Sequence, residues 1–426
     1  MKRHALVLIV LVALLAPANL HAIPAWSRQL GVSCAMCHAT PTNQLTKDGL
    51  DFLKNGHRSE ALKFNEKDQK LENYFSLLFK ARLTNDQWDG ARTGNLYANR
   101  ARTQYELHSM AIYSGGALSD RLSYFAEIYL SENTGSTSGS NVVQGDASRK
   151  KLAEAFLQYN APIGDGKQAY LKVRAGQIVP EMLHVFGIGA RSAEQRAIVL
   201  NEALSGNSNT YRPFNRQQGL EASIVHNRFN VALATLNGSD ASTTNSLDAD
   251  RDKDFSATAL VKLDEHESAI GVIRYNGNFT NYKTKQDPST DIVFKNPFNR
   301  TGVVGRFLRD NWRVVGTYFA GEETMNAAGN KTNNAGYYTL ADYNFNEKYG
   351  VYTRYDRLDP NTDLKSNEVS MIMFGVNGYF FQSEKSGARW NLEYTLKNTY
   401  LNGGISTAGT TKYTDGRLFG QLTWAF

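Results

Sequence analysis

From about residue 72 to the end, the chain repeats one pattern of apolar and polar positions. A stretch of about ten alternating residues is followed by a short polar turn, a second alternating stretch and a longer polar loop. In ARWNLEYTLK, the apolar residues Trp390, Leu392, Tyr394 and Leu396 alternate with polar ones. Successive side chains of a strand point to opposite faces, so each stretch predicts a strand with one apolar and one polar face.

Two further stretches show the same alternation. RLSYFAEIYL places Leu122, Tyr124, Ala126, Ile128 and Leu130 on one face, and YGVYTRYDRL places Tyr352, Arg354 and Asp356 opposite Val351, Thr353 and Tyr355. About sixteen such stretches are present, starting near residues 74, 102, 121, 151, 169, 217, 228, 253, 267, 299, 312, 336, 349, 368, 387 and 416.

The connections between these stretches alternate between short and long. An even number of strands, short turns on one rim and long loops on the other are typical of an outer-membrane barrel. The sequence therefore predicts an all-β protein, an antiparallel transmembrane β-barrel of about sixteen strands. A soluble β-sandwich or β-helix is the alternative, but it does not account for the alternation of loop length.

The start and the end of the chain predict export to the outer membrane. MKRHALVLIVLVALLAPANLHA has a basic start, a short apolar run and a polar end, which is typical of a secretory signal peptide over residues 1–22. A retained anchor helix is the alternative. The last strand ends in GQLTWAF, with Trp424 and Phe426, and a terminal aromatic strand resembles the sorting signal of bacterial outer-membrane barrels.

Composition alone would indicate an ordinary soluble protein, with 41% apolar residues and a mean hydropathy of −0.45. The 22 Tyr and 21 Phe fit the aromatic-rich outer faces of a barrel. The net charge of +6 is too small to predict nucleic-acid binding. The sequence contains no phosphate-binding loop, nucleophile elbow or H-E-x-x-H motif, so nothing indicates a hydrolase.

Both cysteines of the chain lie in one short motif. Cys34 and Cys37 are separated by two residues, and His38 follows at once in RQLGVSCAMCHATP. A disulfide in the oxidising periplasm is one reading, but the βαβ context of a redox C-x-x-C is missing. C-x-x-C-H is the attachment signature of a c-type haem, in which both thiols bind the porphyrin covalently and the histidine is the proximal axial ligand. We therefore predict one covalent haem c on Cys34 and Cys37, with its iron bound by His38.

The haem motif lies in a short segment that precedes the barrel. We assign residues 23–70 to a monohaem c-type cytochrome segment and residues 71–426 to the barrel. A segment of about forty residues is near the size at which a chain needs a cofactor or another surface to fold. We expect it to lie as a plug in or against the barrel mouth, on the rim with the short turns.

The N-terminal residues resemble the fused monohaem cytochrome–porins of the bacterial outer membrane, including those of iron-oxidising bacteria. IPAWSRQLGVSCAMCHATP and LTKDGLDFLKNGH match the two parts of that family's N-terminal pattern, with Leu45, Gly49, Phe52 and Gly56 in register. The resemblance is specific over about residues 23–57 and architectural over the barrel. It implies passage of electrons from an extracellular donor, typically Fe(II), through one haem to a periplasmic carrier such as a c-type cytochrome. Such a protein is an electron-transfer protein or, if classed as an enzyme, a ferrous-ion oxidoreductase.

Two residues depart from the family pattern. Asp48 stands where an aromatic residue is usual, and His57 replaces the aromatic residue after Gly56. His57 is therefore the first candidate for the distal ligand of the haem iron. His108, which is predicted to face the lumen, and Met371 or Met373 are the alternatives.

Three other features bear on function. RSAEQRAIVLNEALSG, residues 191–206, has a helix-forming composition, which favours a helix on the rim over a loop folded into the lumen. Carboxylates alternate at Asp248, Asp250, Asp252 and Asp254, which is typical of a charged rim and less so of a metal site. Arg102, Gln104, Glu106 and His108 are predicted to line the lumen.

Two classes of function follow from these predictions. The first is an electron conduit across the outer membrane. The alternative is a porin for small solutes or anions, in which the haem segment serves as plug or sensor.

Overall fold

The computed structural model describes most of the barrel and parts of the N-terminal segment. The described residues are 24–32, 34–39, 44–55, 57, 70, 73–89, 100–132, 151–164, 169–184, 193–201, 204–206, 209–211, 214, 216–238, 252–282, 292–324, 330–364, 368–382, 386–401 and 411–426. The predicted signal peptide lies outside them, as does the side chain of Cys34. Among the described residues, no helix is both long and apolar enough to cross a bilayer.

Sixteen antiparallel strands form one closed barrel, as predicted. In chain order they are β1 (Phe75–Asp89), β2 (Arg100–Ala117), β3 (Leu122–Glu132), β4 (Lys151–Ile163), β5 (Ala169–Ile178), β6 (Gln217–His226), β7 (Phe229–Leu236), β8 (Asp254–Lys262), β9 (Ala269–Tyr282), β10 (Ile292–Arg309), β11 (Trp312–Thr324), β12 (Lys331–Asn344), β13 (Tyr349–Asp359), β14 (Val369–Gln382), β15 (Gly387–Leu401) and β16 (Thr411–Ala425). Each strand pairs with the next in sequence, and β16 pairs with β1 to close the ring.

Most strands begin close to the predicted residue, but three begin earlier, at Ile292, Lys331 and Thr411. In β12 the additional residues are the polar stretch Lys331–Asn334. Such a strand end continues into water, where an apolar outer face is not needed, so apolar alternation gives no signal for it.

Connections alternate in length around the ring, which confirms the predicted two rims. The short turns include residues 118–121, 227–228, 310–311 and 345–348, and the long connections include residues 90–99, 133–150, 179–216 and 237–253. All short turns join an even-numbered strand to the next odd-numbered one, so they lie on one rim.

The outer face of the barrel is apolar and the inner face is polar. Tyr105, Leu233, Phe374 and Leu392 are among the exposed large apolar residues. The residues that alternate with them are buried inside the ring and charged or polar, as at Arg389, Asn391 and Glu393 in β15. A closed sheet with an apolar outer surface satisfies its backbone hydrogen bonds in lipid, so this arrangement is that of a membrane-spanning barrel.

Within the described ranges, four short helices lie outside the sheet. These are α1 (Pro24–Leu30), α2 (Lys47–Lys54), α3 (Glu181–His184) and α4 (Ile198–Asn201). The first two belong to the N-terminal segment, and the last two belong to the long β5–β6 connection. A 3₁₀ turn over Cys34–Met36 and a two-residue strand pair, His38–Ala39 with Gln44–Leu45, complete the described part of the N-terminal segment.

Candidate functional site

The C-x-x-C-H motif forms a compact loop between α1 and α2. Cys34–Met36 form a 3₁₀ turn, and His38 pairs with Leu45 in the two-residue strand pair. Cys37 is a free cysteine and its side chain is partly buried. Burial, with a smaller contribution from the Asp48 carboxylate, raises the pKa of the Cys37 thiol to about 11. The thiol is therefore protonated at neutral pH.

Helix α2 holds this loop from one side. Thr46 caps the helix by accepting the Gly49 N–H at 3.2 Å, and its hydroxyl donates to the Met36 carbonyl. The Thr46 N–H donates to the Cys37 carbonyl oxygen at 3.0 Å. Gly49 is required at its position, because a Cβ there would lie 2.0 Å from the Cys37 carbonyl oxygen. The first turn of α2 and the backbone of Cys37 are thus in direct contact.

The donor set of this loop fits a covalent haem c. The group needs two thiols that are not joined to each other and an adjacent imidazole, and Cys37 is a free cysteine next to His38. The contact at Gly49 fixes the backbone of the loop without a side chain in between. Cys34 and Cys37 would hold the porphyrin, and His38 would be the proximal ligand. Asp48, the first departure from the family pattern, is exposed to solvent.

Helix α1 fixes the segment to the short-turn end of β1 and β2. The Ala25 N–H donates to the Ser76 hydroxyl oxygen at 2.8 Å, and the Trp26 indole N–H donates to the Gly115 carbonyl at 3.2 Å. The Arg28 guanidinium donates to the Phe75 carbonyl at 2.8 Å. The segment therefore lies in the barrel mouth on the rim with the short turns, as the sequence predicted.

The end of α2 is fixed to another part of the rim. Lys54 is 6% exposed, and its ammonium lies 2.6 Å from Glu267 Oε2 in the β8–β9 turn. Glu267 also pairs with Lys262 and with Arg306, which lies 3.5 Å away. The Gln158 amide of β4 donates to the Lys54 carbonyl at 3.1 Å. The contacts of the segment thus reach from β1 and β2 to a turn nearly half-way round the ring.

His57 lies in a cluster of aromatic rings where the segment meets the inner wall. It is 4% exposed and stacks on Trp26 with ring centroids 4.4 Å apart. The ring centroids of Phe125 and Phe156, from β3 and β4, lie 4.8 Å and 6.2 Å away. Ligation of the haem iron by His57 stays a prediction.

The long β5–β6 connection enters the barrel, contrary to the expected rim helix. The Glu194 and Ile198 backbone N–H groups donate to Glu393 at 2.9 Å and Asp356 at 3.3 Å, on the inner faces of β15 and β13. Arg354 donates to the Gln195 and Arg196 carbonyls. Helix-forming composition did not reveal the inward path, because these partners are distant in sequence.

Apolar residues of this inward segment pack within the barrel. Val179, Met182, Leu183, Ile198 and Val199 are each at most 2% exposed and belong to one buried cluster. Strand residues such as Phe319, Tyr338 and Leu358 complete it. The interior at this level is a packed core as well as a polar wall.

The remaining predicted residues have the following positions. Arg102, Gln104, Glu106 and His108 alternate with the exposed Tyr105 and Leu107, which confirms that they face inward. Met371 and Met373 are buried in the interior core.

The predicted carboxylate cluster is described only in part. Asp254 accepts hydrogen bonds from Tyr275 and from the Asn278 N–H, which is a structural role, whereas Asp248 and Asp250 lie outside the described residues. The described part of the chain contains no group of three or more His, Cys, Asp or Glu side chains arranged to hold a metal ion.

Sequence reasoning missed the wall residues that receive the segment. Phe125 lies on the inner face of RLSYFAEIYL, opposite the apolar residues of the outer face, and Phe156 pairs with it across β3 and β4. Large aromatic residues on an otherwise polar inner face are a signal that something apolar lies against them. Glu267 gave no such signal, because it stands among other charged residues in a short turn.

Comparison with known proteins gives structural neighbours alone. No family model matches the chain, and no curated protein matches it in sequence. An anion-selective porin from Comamonas acidovorans has a TM-score of 0.52 at 11% identity, covering 82% of this chain and 99% of the porin. The high-pH structure of OprB from Pseudomonas putida has a TM-score of 0.50 at 11% identity, covering 88% and 96%. In-vitro folded OmpT of Vibrio cholerae has a TM-score of 0.49 at 11% identity, covering 82% and 98%.

At these identities the similarity shows the fold. The similarity agrees with the apolar outer face, the even strand number and the two unequal rims. This protein is therefore an outer-membrane β-barrel with the architecture of a porin.

Proposed function

We propose that the protein carries electrons across the outer membrane through one haem c held by Cys34, Cys37 and His38. The observation that carries the proposal is that the C-x-x-C-H motif lies in a segment fixed in the mouth of a membrane barrel. A bound haem would supply a single centre that accepts one electron and releases one. The resemblance in sequence points to extracellular Fe(II) as donor, oxidised to Fe(III), and to a periplasmic c-type cytochrome as the acceptor that is reduced.

The packed interior supports electron passage over free solute passage. The inward segment places buried apolar side chains across part of the lumen, and its polar groups are bonded to the wall. A water-filled channel would instead have a polar lining along its whole length. A lumen narrowed in this way should give low ionic conductance, which is the property that separates this proposal from an open porin.

A second candidate is a porin for small solutes or anions, with the N-terminal segment as plug or sensor. The observation that favours it is the fold, because an anion-selective porin is among the similar structures. The inner wall also carries many guanidinium groups, including Arg82, Arg174, Arg300 and Arg354. Most of them are paired with carboxylates or amides of the wall, as Arg174 is with Glu221 at 2.5 Å.

Two measurements on one purified preparation distinguish the candidates. Haem staining after denaturation and a redox titration test the cofactor, and planar-bilayer recordings test conductance. The proposal expects a stain that survives denaturation, one redox-active centre reduced by Fe(II), and low conductance. Replacing Cys34 and Cys37 by Ser should remove the stain. Haem that extracts into acidified organic solvent would reject covalent attachment. Steady porin-sized conductance with no Fe(II)-reducible centre would reject electron transfer in favour of the porin.

A further inference from the structure

His57 occupies a strained and enclosed position at the end of the N-terminal segment. Its backbone has φ 62°, in the left-handed region that non-glycine residues rarely adopt, and its N–H donates to the Phe52 carbonyl at 2.8 Å. A residue keeps such a conformation only where its surroundings require it. The surroundings here are aromatic rings on both sides of the interface between the segment and the barrel.

Four rings contact the imidazole. Trp26 and Phe52 come from the segment, with Phe52 at 5.7 Å and 69°, an edge-on arrangement. Phe125 and Phe156 come from the wall, and their own ring centroids lie 5.8 Å apart. His57 thus joins two pairs of rings, one on each side of the interface.

One ring nitrogen of this imidazole makes no hydrogen bond within the described structure. His57 Nδ1 is buried and has no hydrogen-bond partner there. A distal haem ligand has to present a ring nitrogen to the iron, beside the large flat porphyrin. The His57 ring instead presents its faces and edges to other aromatic rings, as a phenylalanine would.

A second fixing point lies three residues earlier in the same segment. The buried Lys54–Glu267 pair connects the end of α2 to the β8–β9 turn, and the Gln158 amide bonds to the carbonyl of the same lysine. His57 and Lys54 therefore bind the segment to two different parts of the rim.

We propose that His57 is the residue that positions the haem segment in the barrel mouth, by inserting its ring between the segment's rings and those of Phe125 and Phe156, and that it does not bind the iron. This inference deepens the proposed function and rests on it only for the part that concerns iron. The contact itself is a property of the chain with or without haem.

The test compares two substitutions of His57 in the full-length protein. His57→Phe keeps a flat apolar ring that cannot bind iron, and His57→Ala removes the ring. His266→Ala, an exposed histidine in the β8–β9 turn, is the matched control. Amide hydrogen exchange over residues 24–55 reports whether the segment stays in place, and the visible spectrum reports the iron ligands.

The proposal expects exchange in His57→Phe to stay within two-fold of the wild type, with an unchanged spectrum. Exchange in His57→Ala should be at least ten-fold faster over this segment, and His266→Ala should match the wild type. A high-spin spectrum in His57→Phe with unchanged exchange would identify His57 as a ligand and overturn the proposal. Unchanged exchange in His57→Ala would overturn it as well.

The role of His57 can still be tested if one of its variants does not assemble. If His57→Ala does not fold, His57→Phe still separates the two roles by its spectrum, and Lys54→Met tests the second fixing point. If the purified protein contains no haem, the proposed function fails, whereas the exchange comparison still decides the role of His57 in positioning.

Discussion

At the scale of single residues, Gly49 in α2 leaves no room for a side chain against the loop that contains Cys37. A methyl group there would meet the Cys37 carbonyl oxygen at 2.0 Å, so backbone atoms have to move. We expect Gly49→Ala to destabilise the segment by roughly 1–3 kcal/mol, the usual cost of overpacking. The ratio of haem to protein should fall, and amide exchange over residues 36–52 should rise.

Asp48→Ala is the matched control for this prediction. Asp48 is the neighbouring residue in α2 and is exposed, so its removal should change exchange little. Equal exchange in the two variants would contradict the close contact between α2 and Cys37.

His57 also makes the position of the segment sensitive to pH. Burial, aided by the positive charges of Arg174 and His184, lowers the pKa of His57 to about 3. A histidine in water has a pKa near 6.5, so the bound position favours the neutral ring. Binding of the segment should be unaffected above about pH 6.5 and weaken by roughly 1.4 kcal/mol per pH unit below it.

Amide exchange of residues 24–55 at pH 7 and pH 5, corrected for the intrinsic rates, checks this prediction. The wild type should lose protection at pH 5, and His57→Phe should lose less. Both proteins keep His184, whose pKa burial lowers to about 4, so the difference between them reports His57. Identical loss in both would show that another group carries the pH dependence.

At the scale of elements, the inward β5–β6 segment is held to the barrel wall by buried ion pairs. Glu194 binds Lys80 at 2.8 Å and also Arg389, so it holds the segment to β1 and β15. Removing one partner of a buried pair leaves an uncompensated charge and typically costs about 3–5 kcal/mol. We expect Glu194→Ala to loosen the segment and raise single-channel conductance in planar bilayers.

The control for this variant is Glu322→Ala in β11. Glu322 pairs with Lys331 at 2.8 Å, but both side chains are well exposed, and exposed pairs contribute about 0–1 kcal/mol. Conductance in this variant should equal that of the wild type. If Glu194→Ala conducts no more than Glu322→Ala, the segment is not held by its carboxylate.

The strands were predictable from sequence because their signal is local. In β15, apolar residues on alternate positions faced outward as expected, and in β13 the predicted two faces were also observed, although the inner one includes the apolar Leu358. The path of the β5–β6 segment was not predictable, because it depends on pairs such as Glu194 with Arg389 that only the closed ring brings together.

In the candidate site, too, some residues were predictable from sequence and others were not. The C-x-x-C-H motif is contiguous, so Cys34, Cys37 and His38 could be proposed as haem residues from their spacing, and that assignment stays a prediction. The residues that hold the segment in place were not found, because Phe125 and Glu267 lie in strands and turns far along the chain. Gly49 belongs to the sequence pattern and also has a steric reason in the structure, because a side chain there would meet the Cys37 carbonyl oxygen.

At the scale of the whole molecule, the two rims should lie on opposite sides of the membrane. Asp363 is exposed in the long β13–β14 connection, and Glu347 is exposed in the short β12–β13 turn. Long loops of outer-membrane barrels face outward and short turns face the periplasm. In intact cells, Asp363→Cys should react with an impermeant thiol reagent, and Glu347→Cys should react only after the outer membrane is opened.

The unaltered protein, labelled in parallel, corrects for its own two cysteines. Equal labelling of both variants in intact cells would contradict the assignment of the rims.

The closing seam of the barrel has a consequence for the order of biosynthesis. Leu77 and Phe426 exchange two backbone hydrogen bonds, of 2.7 Å and 3.0 Å, where the ends of the sheet meet, and α1 binds the adjacent Phe75 and Ser76. Closing the ring and placing α1 in the barrel mouth therefore involve the same end of β1. The Cys37 thiol is partly buried and protonated in the closed barrel, and a protonated thiol is a poor nucleophile. The proposed haem would then be attached before the barrel closes, and a copy inserted without haem would not acquire it afterwards.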